Sequence, residues 1–161
     1  MAVTSLKLLS NAQTTVASGE QGAGFSNRYE MPGVTIAAGT SVTGMPFWVV
    51  PAWVTSAKIT NFYLMTGTTA PSSGTMTVTI KKNGSTSIFG TAPTVTTTAG
   101  TNTVVNVNSA ATTGYVLPVL STTVATLTLA PGDILTYDIS GGATVTLAGF
   151  RVEVEDFSGV N

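Results

Sequence analysis

Residues 75–81 alternate strictly between apolar and polar side chains, and this period of two constrains the fold more than any other feature. Met76, Val78 and Ile80 fall on one side of an extended chain, whereas three threonines and a lysine fall on the other. Such a pattern predicts an antiparallel β-strand with one buried face and one wet face. The following Asn83-Gly84 pair tolerates the positive φ angles of a two-residue hairpin turn. A hairpin is therefore expected directly after this strand.

Shorter apolar runs predict further strands, and turn residues separate them. The predicted strands cover residues 56–66, 103–108, 124–129, 134–139 and 143–156. Ala130-Pro131-Gly132-Asp133 predicts a turn, because proline presets the first central φ and glycine accepts a positive φ at the second. In the last strand the apolar side changes at Ala148-Gly149, which predicts a β-bulge there.

Many short strands without a helical period indicate an all-β sandwich or barrel in one domain. Two longer connections between strands suit the crossings of a jelly roll, so an antiparallel, jelly-roll-like β-sandwich is the first choice. We predict this domain for residues 46–161. For residues 1–45 we predict either an extended N-terminal arm or the first strand of the sandwich. This region has one apolar patch (Leu6, Leu8 and Leu9), then a glycine-rich polar run.

The composition argues against most chemistry. The 161 residues include no histidine and no cysteine, only 8% are charged, and the net charge is −1. The commonest general base and the soft metal ligands are thus missing, so we expect no enzyme, no metal and no cofactor. No basic stripe predicts nucleic-acid binding, and no apolar run is long enough for a signal peptide or a membrane span. Glu153 and Glu155 would share a strand face at a spacing that suits a glycosidase pair, but a solvated charged edge is favoured for them.

Residues 46–54 are apolar on both sides of an extended chain, which is unusual for a strand with one wet face. Three explanations stay open: cover from within the chain, a subunit interface with aromatic anchors, and carbohydrate binding by exposed rings. For the interface we name a candidate set that includes the N-terminal leucines. These candidates are Leu6, Leu8, Leu9, Phe47, Trp48, Val50 and Trp53.

Two segments carry a family resemblance: Met76 to Gly84, a strand that ends in Lys-Asn-Gly, and Leu127 to Ile139, two strands around a Leu-x-Pro-Gly-Asp turn. With a closing strand, this pattern over roughly residues 45–156 resembles the capsid decoration, or cement, proteins of tailed bacteriophages, which have a jelly-roll core. The resemblance implies a structural virion protein, made in the host cytoplasm, that binds the capsid surface as a homo-oligomer, often a trimer. Its partner would be the major capsid protein, and it would bridge neighbouring capsomers. A receptor- or carbohydrate-binding module of a phage fibre or spike is the alternative.

Overall fold

A computed structural model describes residues 7–8, 13–14, 27–30, 34–36, 41–54, 56–67, 73–140 and 148–156. Within these residues the chain forms sixteen strands and one single-turn helix, α1 (Val124–Leu127). In chain order the strands are β1 (Lys7–Leu8), β2 (Gln13–Thr14), β3 (Asn27–Glu30), β4 (Val34–Ile36), β5 (Val42–Val49), β6 (Ala57–Met65), β7 (Thr75–Lys82), β8 (Thr86–Ser87), β9 (Phe89–Thr91), β10 (Thr94–Thr96), β11 (Val104–Asn106), β12 (Tyr115–Val116), β13 (Val119–Leu120), β14 (Thr128–Leu129), β15 (Ile134–Ser140) and β16 (Ala148–Asp156).

Two antiparallel sheets contain most of these strands. Sheet I has the order β12–β10–β7–β15–β5, with β8 also paired to β7. Sheet II has the order β11–β6–β16–β3, with β14 also paired to β6 and β4 to β16. Two separate pairs, β1–β2 and β9–β13, complete the pairings among the described residues. The predicted all-β antiparallel sandwich is confirmed, and the jelly-roll connectivity stays a prediction.

The core lies between the inner faces of the two sheets. Met76, Val78 and Ile80 are buried from sheet I, as their spacing predicts. Phe62 and Phe150 are fully buried from sheet II, and their rings stack with centroids 5.8 Å apart. Each of these side chains stabilises the fold by about 1.5–3 kcal/mol through burial.

Both predicted turns are confirmed. Asn83 and Gly84 have φ angles of 53° and 71°, the positive values that a type I′ hairpin requires. In the second turn Gly132 has φ 84°, and the Asp133 N–H donates to the Ala130 carbonyl at 3.0 Å. These values fit a type II turn with Pro131 at its first central position.

The predicted strand at 124–129 is wrong in its first part, because residues 124–127 form α1 and only Thr128–Leu129 are extended. Distant and local groups bind the carbonyls of this turn. The Lys82 Nζ donates to the carbonyls of Ala125 and Thr128 at 3.0 and 2.9 Å, and the Thr128 hydroxyl donates to the Val124 carbonyl at 2.9 Å.

Nowhere in the described residues is there a helix with the length and apolarity to cross a bilayer.

The bulge of sheet II lies in β6 and not at Ala148-Gly149. Residues 148–150 pair with Val34–Ile36 in unbroken register, whereas residues 143–147 of the predicted strand lie outside the described residues. In β6, Ile59 pairs with Val154 and Asn61 with Glu153, so Thr60 is the extra residue. This insertion moves the buried side from Ala57 and Ile59 to Phe62 and Leu64, which is why the alternation of this strand is imperfect.

The sandwich includes strands before residue 46. Strands β3 and β4 pair with β16, and the expected boundary between residues 45 and 46 falls inside β5. β3, β4 and the first residues of β5 thus belong to the sheets. The arm that we predict within residues 1–45 stays a prediction, and of residues 1–26 only β1 and β2 are described.

Candidate functional site

The aromatic segment of β5 contains a β-bulge. Trp48 pairs with Leu135 and Pro46 with Thr136, so Phe47 has no partner in the register. A bulge of this kind turns two consecutive side chains toward the same face. Phe47 and Trp48 accordingly both pack against the core. One extra residue therefore explains why both sides of this strand are apolar.

Contacts of the Phe47 ring confirm its inward direction. Its centroid lies 5.4 Å from that of Phe150 and 6.0 Å from that of Tyr137, and both contacts are edge-to-face. Such pairs add about 0.5–1.5 kcal/mol to the effect of burial alone. Phe47 therefore links β5 of sheet I to β16 of sheet II.

The seven interface candidates differ in how far their side chains are exposed. Val50 is only 2% exposed and belongs to the core, so it offers no surface to a partner. Phe47 and Trp48 are half-buried against the same core, whereas Trp53 is 59% exposed. Leu8 lies in β1, and Leu6 and Leu9 lie outside the described residues. Cover from within the chain accounts for Phe47, Trp48 and Val50, whereas Val49 and Trp53 of the same segment are exposed.

Trp53 shares one end of the sandwich with three exposed aliphatic side chains. Val49 and Ile134 are direct cross-strand partners on β5 and β15, with exposures of 54% and 38%. Val124 of α1 is 64% exposed. We call Val49, Trp53, Val124 and Ile134 the apolar end. Sequence reasoning missed its three aliphatic members, because only the strand register and the position of α1 bring them to this end.

Backbone bonds connect the turns of the apolar end. The Val50 N–H donates to the Asp133 carbonyl at 2.8 Å, and the Gly132 N–H donates to the Val50 carbonyl at 3.0 Å. The Val54 N–H donates to the Pro51 carbonyl at 3.1 Å and closes the turn that carries Trp53. The turn at 51–54 therefore lies next to the turn at 130–133.

A polar cluster holds these turns in place. Asp133 accepts hydrogen bonds from the Asn83 Nδ2 at 2.7 Å and from the Ala130 N–H at 2.8 Å, and the Lys82 Nζ lies 3.7 Å from its Oδ2. The Asn83 Oδ1 in turn accepts from the Ile134 N–H at 2.8 Å. We call Lys82, Asn83 and Asp133 the turn cluster. It joins the two motifs, Lys-Asn-Gly and Pro-Gly-Asp, on which the family resemblance rests.

The electrostatics of the turn cluster favour an ionised carboxylate. Desolvation by burial raises the pKa of Asp133, but the bonds from Ala130 and Asn83 and the charge of Lys82 outweigh it, so the pKa is lowered. A second carboxylate on sheet I behaves similarly. A hydrogen bond from Lys81, 2.5 Å away, lowers the pKa of Asp138 against a smaller effect of burial, and the Gly44 N–H adds to the lowering.

The carboxylates of β16 do not form a solvated edge, so that expectation is wrong. β16 lies inside sheet II, between β6 and the strands β3 and β4, and Glu153 is only 6% exposed. The Tyr63 hydroxyl donates to the Glu153 Oε2 at 2.9 Å and accepts from the Asn61 Nδ2 at 3.0 Å. The Arg151 guanidinium lies 4.4 Å from the centroid of the Tyr63 ring. Desolvation, followed by the bond to Glu153 and its charge, raises the pKa of Tyr63.

These contacts tie the strands of the two sheets together. Within the described residues, no group of three histidine, cysteine, aspartate or glutamate side chains could hold a metal ion. Asp133, Asp138 and Glu153 bond within the chain, and Glu155 also has an interaction. The exposed side chains of the apolar end are therefore aromatic and aliphatic.

Comparisons with known proteins give one structural likeness. No protein-family model matches the sequence, and no curated protein matches it. A solved structure titled "Cyanophage Pam1 capsid asymmetric unit" aligns with 89% of this chain and 93% of its own chain. The identity is 18% and the TM-score is 0.45. A likeness at this level does not assign a family or a function.

Proposed function

We propose that this chain is a structural protein of a tailed-bacteriophage particle that binds the outer surface of the capsid and bridges neighbouring capsomers. The proposal rests on one observation, which is the contrast between the carboxylates that bond within the chain and the apolar side chains that are exposed. Asp133, Asp138 and Glu153 bond within the chain, and Glu155 also has an interaction. In contrast, Trp53 and three aliphatic side chains are exposed at one end. A chain built in this way acts through shape and apolar contact, because exposed aromatic anchors contribute strongly to protein–protein interfaces.

The capsid as partner follows from the sequence resemblance, and the structure adds a physical reason for its two motifs. Lys82-Asn83-Gly84 and Pro131-Gly132-Asp133 meet in the turn cluster and stabilise the end that presents Trp53. A homo-oligomer, as the resemblance implies, would present several such ends at once. Linked contacts of this kind raise the overall affinity without a single strong site.

A carbohydrate-binding fibre module is the second candidate, and the exposure of Trp53 is the observation in its favour. A sugar site also needs polar groups beside the ring that are available to hydroxyls. Two polar side chains of the neighbouring turns, Asn83 and Asp133, are engaged with each other and with backbone amides. This engagement favours the protein partner.

Co-sedimentation tests the proposal. Purified protein is mixed with expanded and with unexpanded shells of the virus that encodes it, and the pellet is assayed over a range of protein concentrations. We expect saturable binding to shells of at least one type and no binding to shells of an unrelated phage, which serve as the control. Protein that stays in the supernatant with both types, or that binds host glycans instead, would contradict the proposal.

A further inference from the structure

The Asn83-Gly84 pair combines a reactive dipeptide with an exposed position. Asn-Gly occurs once in the sequence, and both residues are exposed between β7 and β8. Asparagine is a thermolabile residue, because the next backbone nitrogen can attack its side-chain amide carbon. A following glycine makes this attack easiest, since it has no Cβ to hinder the approach of its nitrogen. Burial does not protect this amide from water, so its protection must come from its contacts.

The reaction converts the side-chain amide of asparagine into a carboxylate. The Gly84 nitrogen bonds to the Asn83 Cγ and loses its proton, the Cγ–Nδ2 bond breaks, and ammonia leaves with that proton. Water then opens the five-membered imide at either carbonyl, which gives aspartate or isoaspartate at position 83. Isoaspartate also lengthens the main chain by one methylene group. Water is the only co-reactant, and both residues are exposed to it.

Three hydrogen bonds hold Asn83 against this reaction. The Asn83 Nδ2 donates to the Asp133 Oδ1 at 2.7 Å, and the Asn83 Oδ1 accepts from the Ile134 N–H at 2.8 Å. The Asn83 N–H donates to the Ile134 carbonyl at 2.7 Å. Ring closure makes the Cγ tetrahedral and pulls it onto the Gly84 nitrogen, which displaces both side-chain atoms from their partners. Asp133 is itself held, because its Oδ2 accepts from the Ala130 N–H at 2.8 Å.

We propose that Asn83 is a latent deamidation site, which the turn cluster keeps intact in the folded chain and whose conversion destabilises the turn at 130–133. In the folded chain the reaction requires local opening of the cluster, so its rate follows the population of the open state. After conversion, position 83 carries a carboxylate beside Asp133 in place of the amide donor. The ammonium group of Lys82 then faces two negative charges, which repel each other. This chemistry does not depend on which partner the chain binds.

Peptide mapping of the full-length chain tests the proposal. The folded protein and an open peptide with the sequence of residues 79–88 are incubated at mildly alkaline pH. Aspartate and isoaspartate at position 83 are then measured by mass spectrometry after peptic digestion in acid. We expect conversion in the folded protein to be at least about tenfold slower than in the peptide, because a hydrogen bond to a charged group contributes that factor or more. Asp133→Ala should restore at least about tenfold of the rate for the same reason.

Asp138→Ala is the matched control, because it removes a carboxylate of the same sheet that is bound to Lys81 and to the Gly44 N–H. The rate at Asn83 should then stay within about twofold of that in the unsubstituted chain. Equal rates in the folded chain and the peptide, or in Asp133→Ala and the unsubstituted chain, would overturn the proposal. The same acceleration in Asp138→Ala would overturn it as well, because conversion would then follow global unfolding.

Two further variants keep the test decisive. If circular dichroism shows that Asp133→Ala is unfolded, Asp133→Asn keeps the shape of the side chain without its charge and should still react faster than the unsubstituted chain. Asn83→Asp reproduces one product of the reaction and should lower the urea midpoint more than Asn108→Asp, which makes the same charge change at another exposed asparagine. An unchanged rate in Asp133→Asn, or equal midpoints for the two aspartate variants, would refute the proposed role of the turn cluster.

Discussion

Replacement of Asp133 by alanine tests the importance of the turn cluster. The carboxylate accepts two hydrogen bonds, at 2.7 Å from Asn83 and at 2.8 Å from the Ala130 N–H, and faces the ammonium group of Lys82 at 3.7 Å. Hydrogen bonds to charged groups contribute about 1.5–3 kcal/mol each when they are shielded from water. Water replaces part of this loss, because the Asp133 side chain retains 15% exposure. We therefore expect Asp133→Ala to lower the free energy of unfolding by about 2–3 kcal/mol.

Urea unfolding, followed by the fluorescence of half-buried Trp48, measures this change. For a domain of this length a loss of 2–3 kcal/mol also lowers Tm by about 5–10 °C. Thr101→Ala, an exposed substitution at the opposite end, should change the free energy of unfolding by less than about 0.5 kcal/mol. An Asp133→Ala variant as stable as this control would refute the view that the cluster holds the two turns together.

The pH dependence provides an independent check on the same group. The pKa values of Asp133 and Asp138 are lowered from 3.8 in the folded chain. The unfolded chain therefore binds these protons more tightly, and the stability from both carboxylates is complete well above pH 3.8 and is lost as the pH falls below it. We expect a flat urea midpoint between about pH 5 and 8 and a decline below about pH 4, and the decline should be smaller in Asp133→Asn.

Further predictions concern the bulge, the glycines and metals. Phe47→Ala should cost about 2–3 kcal/mol because the ring packs on the core, whereas Val49→Thr, on the exposed side, should cost less than about 0.5 kcal/mol; similar urea midpoints would contradict the bulge. Gly114→Ala should cost more than about 3 kcal/mol, because a Cβ there would overlap the backbone of the 98–99 segment. Gly132→Ala has open space and only a positive φ to oppose it, so it should cost about 1 kcal/mol in thermal unfolding, and equal losses at the two glycines would refute the steric argument. Excess EDTA should leave Tm unchanged, since the described residues contain no cluster of ligands, and a drop of several degrees would reveal a bound metal.

Local signals were sufficient for the strand at 75–82 and for both turns, because alternation, Asn-Gly and Pro-Gly act within a few residues. The other features of the fold depend on contacts between residues that are distant in the sequence. The extra residue at Phe47 exists only relative to the register of β15, and α1 depends on Lys82, which is more than forty residues away. The burial of Glu153 depends on its interior position in sheet II and on Tyr63, ninety residues away. A solvated edge is the ordinary expectation for a strand with charged residues, so sequence reasoning could not have found this pair.

The edges of the sheets limit how copies of this chain can associate. β5 is the long edge of sheet I, and besides the extra Phe47 it has an irregularity at Gly44, where φ is 68°. Pro46 adds a position without an N–H, so this edge is a poor template for a strand of another chain. The opposite edge, β12, has only two residues, and in sheet II β11 has three. Because these three edges are too irregular or too short to add a strand readily, contacts through side chains are the favoured way for copies of this chain to associate.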